Sequence, residues 1–566
     1  MSTRLLLGLL AALFVSSAAA STDIDWWENA ALYQIYPRSF QDSDGDGVGD
    51  LNGITRRLSY LKEIGITATW LSPIFKSPMS DFGYDISDFK QIDEIFGTLA
   101  DFDALMLEAK SLGLKIILDF VPNHSSDECE WFQKSVNRED GYDDFYVWHD
   151  GKLNAETGER EPPSNWVSVF GGPQWTWHET RQQYFLHQFQ VKQPDLNFSN
   201  PMVREHMLDV LTFWLDRGVD GFRIDAVPHI YEQRNADGSY RDEPLSGWNS
   251  DPNSYDYLDH IYTKDQPETV ELMYEWRDFL LKYQAEHGGP TRVLLAEAYS
   301  PVETLSAYFG NGTRLGTQLP MNFQLMYLSG HSTARDVVGA IDYWMQTMWT
   351  QHQTANWVIG NHDTQRVANR MGAHKVDLLN VIVNALPGAS VTYYGEEIGM
   401  SNVATECTEI SCDGRDGERT PMQWAPVQNA DFSTADSPWL PVSPDYMRFN
   451  VQTERGVARS SLQVFKGLQQ LKSSAAFLAF KKKDGFSYEA LTEQVLQIVR
   501  TNNLNEEYRI LVNMGNAIEI IDGLADRVFE YMLVTAYSRH RPGETIDLSN
   551  RLLLMPYEAI VLRWLA

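Results

Sequence analysis

The chain has 566 residues and a hydrophobic fraction of 43%, which is enough for one large and one smaller globular domain with buried cores. Its formal net charge of −31 argues against nucleic acid and anionic membranes as partners, whereas a neutral ligand is indifferent to this charge. The sequence has no His/Cys cluster that would indicate zinc chemistry, and nothing in it requires an organic cofactor.

Residues 1–20 have the pattern of a signal peptide. Arg4 provides the positive n-region, residues 5–15 form a short apolar run, and Ala18 and Ala20 give a small-x-small cleavage site. The apolar run is too short to span a membrane as a helix. The sequence therefore predicts a secreted, extracellular protein with no transmembrane segment and no clear lipid anchor.

An acidic run near the N-terminus is a candidate metal site. Asp42, Asp44, Asp46 and Asp50 alternate with small residues, and the Val48 carbonyl can add a further oxygen. Ca²⁺ takes about six to eight oxygen ligands, and this run can wrap one ion. A solvated acidic turn is the alternative. We predict a structural Ca²⁺ site that has no part in the chemistry.

One unit recurs along the chain: a helical run that ends in glycine, followed by a short apolar strand. Such units are typical of parallel strands covered by helices, and many in sequence predict an α/β fold, a (β/α)₈ TIM barrel. A doubly wound open sheet is the alternative. The helical runs cover 52–65, 101–113, 200–218 and 268–289, the strands after them cover 66–74, 114–120, 221–227 and 293–297, and later candidate strands cover 316–323, 355–363 and 390–399.

Two segments depart from this pattern. Residues 125–195 are rich in Trp, Tyr, Gly and Pro and lack helical periodicity, which predicts an irregular inserted subdomain after the third strand. After about residue 480, strands follow one another without long helices, which predicts a C-terminal antiparallel β-sandwich over 481–566. The barrel is then expected over 21–124 and 196–480.

Cysteines and glycosylation sequons agree with an extracellular protein. Cys407 and Cys412 could close a small disulfide loop, which leaves Cys129 over without an assigned role. Of three Asn-x-Ser/Thr sequons, the one at Asn311 is the best glycosylation candidate, because the other two lie within the motifs described below.

Three acids, Asp225, Glu297 and Asp363, lie at the ends of predicted barrel strands. Breaking a glycosidic bond needs one acid that protonates the leaving oxygen and a second carboxylate that attacks or stabilises the oxocarbenium-like centre. The carboxyl ends of barrel strands are where active sites form. Any one of these acids alone could be a structural ion-pair residue, so the prediction rests on all three and their neighbours.

Five motifs identify a resemblance. They are, in chain order, Asp119-Phe-Val-Pro-Asn-His124, Gln193-Pro-Asp-Leu-Asn197, Gly221-Phe-Arg-Ile-Asp-Ala226, Glu297-Ala-Tyr and Ile359-Gly-Asn-His-Asp363. With them the sequence resembles glycoside hydrolase family 13 over essentially the whole mature chain, and is most similar to the insect digestive maltases, which are α-glucosidases. The Glu-Ala-Tyr piece is weak alone, but five motifs in this order on strand ends are specific.

The resemblance implies the roles of the acids. Asp225 is expected to be the nucleophile and Glu297 the general acid/base, while Asp363 is expected to stabilise the transition state and distort the sugar. Arg223 lies two residues before the nucleophile, so on a strand it points to the same side. Its fixed charge should keep Asp225 ionised and aimed.

The resemblance also implies a glucose pocket that is closed at one end. Asp81 and Tyr84 match the segment that holds the non-reducing glucose in exo-acting members, and Arg419 matches the arginine that pairs with that Asp. His124 and His362 match two histidines that bind glucose hydroxyls, with packed core histidines as the alternative. A blocked pocket releases single glucose units.

Three further positions bear on substrate choice. Phe170 and Phe189, in the insert, are candidates for aromatic walls of the pocket, with simple packing as the alternative. Ala226 follows the nucleophile, where relatives that prefer α-1,6 bonds tend to carry Val, so this sequence favours α-1,4 bonds. The implied function is a secreted retaining exo-α-glucosidase, a maltase that releases terminal non-reducing glucose from maltose, sucrose and short maltooligosaccharides through a covalent glucosyl-Asp intermediate.

Alternatives to this function stay open. A catalytically inactive member that acts as a transporter-associated binding protein would lack parts of the acid triad and carry a transmembrane helix. A transglucosidase would have the same site, and the sequence does not separate hydrolysis from transfer. The resemblance implies structural Ca²⁺ in the loop described above and the gut lumen as the location, and it leaves the oligomeric state open.

Overall fold

The computed structural model describes residues 24–351, 353–406, 413–478, 485–502 and 506–565. The predicted signal peptide and the predicted disulfide between Cys407 and Cys412 lie outside these residues. Among the described helices, none combines the length and apolar character that crossing a membrane requires.

Eight parallel strands form a nearly closed barrel. They pair in chain order, and the first strand lies between the second and the eighth, which confirms the barrel and excludes the open doubly wound sheet. The strands are Ala31–Ile35, Ala68–Leu71, Lys115–Phe120, Gly221–Ile224, Val293–Ala296, Leu319–Pro320, Asn356–Val358 and Ala389–Tyr393.

The barrel closes between its sixth and seventh strands through side chains. The Asn322 amide N–H donates to Asn356 Oδ1 (2.8 Å), and Asn322 Nδ2 donates to the Asn356 carbonyl (3.1 Å). Asn356 Nδ2 in turn donates to the Pro320 carbonyl (2.6 Å). Two buried asparagines thus supply hydrogen bonds where no strand ladder runs between Leu319–Pro320 and Asn356–Val358.

Helices alternate with the strands, as the recurring unit predicts. The helix Leu99–Leu112 begins at a Thr98 capping box and ends at Gly113, whose φ of 71° needs glycine. The other helices of the barrel chain are Pro37–Phe40, Leu51–Glu63, Pro201–Asp216, Pro267–His287, Val302–Tyr308, Ala334–Gln351, Val367–Arg370, Val376–Ala385, Val451–Arg455, Ser461–Lys472 and Ala475–Leu478.

Buried side chains fill both surfaces of the barrel wall. Leu32, Trp70 and Leu295 belong to one buried cluster, whereas their neighbours on the same strands, such as Tyr33 and Leu294, belong to the larger cluster that includes helix residues. This alternation follows from the two-residue period of a strand. The polar residues Asp225 and Glu297 directly follow the buried strands, at their carboxyl ends.

The later strands are shorter than predicted. The seventh strand ends at Val358, and the predicted continuation to Asp363 leaves the sheet in a turn in which Asn361 Oδ1 accepts the Asp363 amide (3.0 Å). The segments 316–323 and 390–399 likewise contribute only Leu319–Pro320 and Ala389–Tyr393. Of the remaining residues of these runs, His362 and Asp363 line the active-site cavity.

The segment 125–195 protrudes after the third strand with little regular structure. It contains the helix Glu130–Val136, and its strands are Trp148–His149, Trp175–His178 and Gln183–Leu186 in one antiparallel sheet, and Lys152–Leu153 and Arg160–Glu161 in a hairpin. A second short ribbon, Phe75–Lys76 with Asp88–Ile92, lies after the second barrel strand.

The C-terminal part is an antiparallel β domain, as predicted. Its larger sheet has the order Phe486–Ala490, Val495–Thr501, Glu506–Asn513, Ala559–Leu565, Val528–Val534 and Thr545–Asp547, and its smaller sheet pairs Glu519–Ile521 with Leu552–Leu554. Leu511 and Ile560 of the larger sheet share one buried cluster with Ile521 and Leu554 of the smaller sheet. Burial of these apolar side chains between two sheets stabilises the domain.

Candidate active site

The three predicted acids lie together at the carboxyl end of the barrel. Asp225 directly follows the fourth strand, Glu297 follows the fifth, and Asp363 lies in the turn after the seventh. All three line one cavity of about 450 Å³. The predicted substrate residues that line the same cavity are Asp81, Tyr84, His124, Phe170, Phe189 and His362.

Arg223 is the centre of the acid cluster. Its Nη1 donates to Asp119 (2.8 Å) and to Asp225 (2.5 Å), and its Nη2 lies 2.7 Å from Glu297 Oε1. The guanidinium is fully buried, with 1% of its side chain exposed. One cation therefore faces three carboxylates. Because a single positive charge cannot compensate three buried negative charges, protonation of at least one carboxylate stabilises the site.

Burial decides which acid holds that proton. It raises the pKa of Glu297 to about 8, against the opposing effect of Arg223, and the Asp225 charge raises it further. Burial also raises the pKa of Asp225, which Arg223 lowers. Arg223 contacts Asp225, as predicted, and lowers its pKa, but burial opposes this effect. Protonated Glu297 removes one negative charge beside Arg223, and this favours the ionised form of Asp225.

The backbone between the acids is also fixed. Ala226 has φ 48° and ψ 35°, a left-handed conformation that is unusual for a residue with a side chain. In this conformation its N–H donates to Glu297 Oε2 (3.0 Å). The Ala226 N–H thus holds one carboxylate oxygen of Glu297, and Arg223 holds the other.

Asp363 has a different environment. Arg415 Nη1 and Arg419 Nη2 each lie 2.9 Å from its Oδ1, and His362 Nε2 lies 3.3 Å from its Oδ2. Burial raises the pKa of this carboxyl, but His362 and the two arginines outweigh that effect and hold it below its ordinary value. Asp363 is therefore a permanent anion beside the reacting centre.

At the predicted closed end of the cavity, the structure differs from the prediction in one residue. Asp81 Oδ1 accepts from Arg415 Nη2 (2.9 Å), and its Oδ2 accepts from Gln193 Nε2 (3.1 Å). The predicted pairing of Asp81 with Arg419 is wrong, because Arg419 donates to Asp363 and to the His362 carbonyl (2.8 Å).

A short turn explains this exchange of arginines. The 3₁₀ helix Asp416–Glu418 separates the two residues, so that Arg415 lines the cavity while Arg419 is buried behind it, 1% exposed. Asp413 also holds Arg415, with 2.9 Å between Asp413 Oδ1 and Arg415 Nε. The resemblance matched the arginine nearer to the Thr-Pro-Met-Gln-Trp motif, and the arginine four residues earlier is the one that reaches Asp81.

The two predicted histidines are buried and neutral. Burial lowers the pKa of His124 to about 4 and that of His362 to about 3. His362 Nε2 lies 2.7 Å from the Tyr84 hydroxyl, and the two rings are stacked with 5.4 Å between centroids. His124 Nε2 lies 3.1 Å from Gln193 Nε2. Neutral imidazoles at these positions suit hydrogen bonds to uncharged hydroxyl groups.

Aromatic side chains form the wall on the insert side. Phe170 and Phe189 lie 6.1 Å apart between ring centroids, and Phe170 is 48% exposed at the rim. The Arg415 guanidinium lies 5.2 Å from the Phe170 ring centroid. The insert therefore covers one side of the cavity with apolar surface and fixes the orientation of Arg415.

Several residues of the site escaped prediction. Asp119 and Gln193 lie within predicted motifs and contact site residues, but neither was assigned a role. Tyr299 also lines the cavity; it lies two residues after Glu297, a spacing that places both on one side of an extended chain. Arg415 and His229 also line the cavity, but neither lies in one of the five motifs, so no local pattern identifies them.

The predicted metal loop is partly arranged for an ion. Carboxylate oxygens of Asp42, Asp44 and Asp50 lie within 4.8 Å of one another. Asp46 lies outside this group, and its Oδ1 accepts the Val48 N–H (2.7 Å). Hard oxygen donors at this spacing suit Ca²⁺, so three of the predicted ligands fit such an ion.

The other sequence-level sites can be placed as follows. Asn311 is exposed, and its Oδ1 accepts from the Thr313 hydroxyl of its own sequon (2.7 Å). The sequon asparagine Asn123 is buried, at 1% exposure. Cys129 is a buried free thiol whose pKa is raised by burial.

Comparisons with known proteins agree with this arrangement. Residues 34–480 match the family model described as the alpha amylase catalytic domain. The chain is 79% identical to Maltase A2 of Drosophila melanogaster over 561 residues, which cover 99% of both chains. It is 50% identical over 459 residues to the salivary alpha-glucosidase of Anopheles gambiae, covering 78% of this chain and 77% of that one. A solved alpha-glucosyl transfer enzyme matches with a TM-score of 0.81 and 32% identity, covering 96% of this chain and 100% of that one.

Proposed function

The chain belongs to the α-amylase family of glycoside hydrolases, family 13, and is an α-glucosidase; from that premise we propose that it removes terminal non-reducing glucose with retention of configuration. The observation that carries this proposal is the sharing of Arg223 between Asp225 and Glu297. Carboxylates held side by side on one guanidinium suit a double displacement, whereas inverting enzymes keep them about 6.5–9.5 Å apart to admit a water.

In the first step, Glu297 donates its proton to the glycosidic oxygen while Asp225 attacks the anomeric carbon. The bond to the leaving sugar breaks, and a covalent glucosyl ester forms on Asp225. In the second step, Glu297 accepts a proton from a water that attacks the same carbon, and Asp225 leaves as the carboxylate. The Asp363 anion stabilises the positive charge that develops on the sugar in both steps.

The closed end of the cavity supports exo action. Asp81 and Arg415 line the cavity and form an ion pair (2.9 Å). We propose that this pair stops a sugar chain from continuing past the first glucose. Neutral His124 and His362, with Tyr84, supply hydrogen-bonding groups for its hydroxyls. Ala226, directly after the nucleophile, supports the proposed preference for α-1,4 bonds. The proposed substrates are maltose, sucrose and short maltooligosaccharides.

A product analysis tests this function. Hydrolysis of p-nitrophenyl α-glucoside should release α-glucose first, observed by NMR before mutarotation. Rates on maltose should exceed those on isomaltose and starch. Initial release of β-glucose would contradict retention, and starch as the best substrate would contradict the closed pocket. Glucose-containing oligosaccharides as the main product would instead favour transfer, the activity for which the solved alpha-glucosyl transfer enzyme is named.

We also propose that the protein is secreted and carries a glycan on Asn311. The signal-peptide pattern at residues 1–20 and the name of the salivary relative support secretion. The exposure of Asn311, set against the burial of Asn123, supports the choice of sequon. The gut lumen and the predicted disulfide stay predictions.

Ca²⁺ binding by the acidic loop is a further proposal. Asp42, Asp44 and Asp50 would hold the ion and tie the loop together, outside the chemistry. At a hundredfold excess over Kd, a ligand of the native state adds about 2.7 kcal/mol of stability, so EDTA should lower the Tm by several degrees and Ca²⁺ should restore it. Asp44→Asn should remove most of this response, while Asp46→Asn should keep more of it. A Tm that is insensitive to both EDTA and Ca²⁺ would contradict the site.

A further inference from the structure

A second cavity of about 600 Å³ opens beside the active-site cavity. Tyr255 and Lys264 line both cavities, so the two adjoin at these residues. We call the second cavity the outer groove; Trp248, Asp256, Asp259 and Pro301 are among its other lining residues.

The outer groove lies on the side where the leaving sugar departs. Asp81 and Arg415, the ion pair that we propose blocks the other side of the active-site cavity, do not line the groove. The shared residues belong to the loop after the nucleophile strand, and Pro301 lies four residues after Glu297, the proton donor to the leaving oxygen. On this arrangement, the part of a sugar chain beyond the cleaved bond would extend toward this groove.

Trp248 provides a flat apolar surface in the groove. It is 91% exposed, the largest exposure among the large hydrophobic side chains described. Its loop is nevertheless fixed, because the Trp248 backbone N–H donates to Ser246 Oγ (3.2 Å) and the Ser246 hydroxyl donates to the Asp256 backbone carbonyl. An indole held in water beside a polar groove is a surface on which the C–H face of a pyranose can stack.

Tyr255 provides an unpaired polar group at the junction of the two cavities. Its ring stacks on His260 with 3.7 Å between centroids, which fixes its position. Its hydroxyl is buried and has no hydrogen-bond partner within the part of the chain that the structure describes. A buried hydroxyl without a partner is costly, and a sugar hydroxyl at the junction would supply one.

Charge limits the ligand that the groove can take. The Asp256 and Asp259 carboxylates line it, and the nearby Lys264 Nζ donates to the Tyr299 carbonyl (2.7 Å). Carboxylates accept hydrogen bonds from neutral hydroxyl groups and repel anions. The groove therefore suits a neutral sugar and disfavours phosphorylated or acidic ligands.

We propose that the outer groove binds the reducing-end glucose units of maltooligosaccharides, with Trp248 as a stacking surface and the Tyr255 hydroxyl as a hydrogen-bond donor. The proposal rests on the α-glucosidase function above and names the part of the substrate that lies beyond the cleaved bond. It makes Trp248 a determinant of the preference for chain length.

The test compares two substrates on one enzyme preparation. The ratio of kcat/KM for maltotetraose to that for p-nitrophenyl α-glucoside does not depend on the fraction of active enzyme. In Trp248→Ala this ratio should fall by about three- to tenfold, because an aromatic contact is lost from the longer substrate only. Trp248→Phe, which keeps a ring, should retain most of the ratio.

Control variants make the outcome decisive. Tyr537→Ala removes an exposed aromatic side chain from the C-terminal domain and should leave the ratio unchanged. An unchanged ratio in Trp248→Ala would overturn the proposal. If wild-type enzyme did not hydrolyse p-nitrophenyl α-glucoside, the proposed function would fail instead. Calorimetric titration of maltotetraose then tests binding in the groove separately from turnover. The double variant Asp225→Ala/Trp248→Ala should bind maltotetraose more weakly than Asp225→Ala, and equal affinity would overturn the proposal that the groove binds the sugar.

Discussion

Replacing Asp225 with alanine should lower the turnover of maltose by about ten-thousandfold or more while the protein stays folded. The substitution removes the carboxylate that attacks the anomeric carbon, so no glucosyl ester can form. Arg223 keeps two carboxylate partners, Asp119 and Glu297, so its buried charge remains compensated. Steady-state kinetics on maltose, with circular dichroism as the measure of folding, check this result.

Two further measurements tie the loss to the nucleophile. Azide, a small anion that fits the space left by the side chain, should restore turnover of an activated glucoside and give β-glucosyl azide. In wild type, a fluorinated glucoside that traps the covalent intermediate should label Asp225. A label on Glu297 or Asp363, or maltase activity retained in Asp225→Ala, would contradict the assigned roles.

Replacing Glu297 with glutamine should remove the alkaline side of the pH profile. Wild-type activity requires Glu297 protonated and Asp225 ionised. Burial raises the pKa of Glu297 to about 8, so the proton is present below that pH, and activity should fall as the pH rises through about 8. Activity should also fall on the acidic side as Asp225, whose pKa burial raises, takes up a proton.

The size of the Glu297→Gln effect should depend on the leaving group. Glutamine cannot donate a proton to the glycosidic oxygen, so kcat/KM for maltose should fall by about a hundredfold to ten-thousandfold. The loss should be much smaller for glucosyl fluoride, because the fluoride ion leaves with little need for protonation. The rate of Glu297→Gln on glucosyl fluoride should not decline above pH 8.

Glu396 offers a matched control for this experiment. It is buried, its pKa is also raised by burial to about 8, and it accepts the Tyr393 N–H (3.1 Å) without lining the active-site cavity. Glu396→Gln should leave the alkaline limb in place. If the alkaline limb shifted in Glu396→Gln and stayed unchanged in Glu297→Gln, the titrating group would be Glu396, and the role of Glu297 as the acid would be contradicted.

The sequence itself indicated the barrel and its acids because both depend on local patterns. Apolar runs after helix-ending glycines predicted parallel strands, and Asp225 and Glu297 directly follow such runs. A barrel brings the carboxyl ends of its strands to one edge, so acids far apart in the chain meet there. The closure by Asn322 and Asn356 was not predicted, because paired side chains across strands leave no periodic signal.

The tertiary structure decided which charges meet. Asp81 and Arg415 are 334 residues apart, and only the fold shows that Arg415 rather than Arg419 makes their ion pair. The proton on Glu297 likewise depends on how three carboxylates share Arg223 in a buried site, because a pKa responds to burial and to every nearby charge.

Sequence therefore determined the strand framework and the identity of the three acids, since a hydrophobic period and a strand end are properties of neighbouring residues. The structure decided the ion pair between Asp81 and Arg415, the ionisation of the acids and the outer groove with Trp248. Those features arise where loops from several strands pack against one another, and burial and distance there are set by the whole fold.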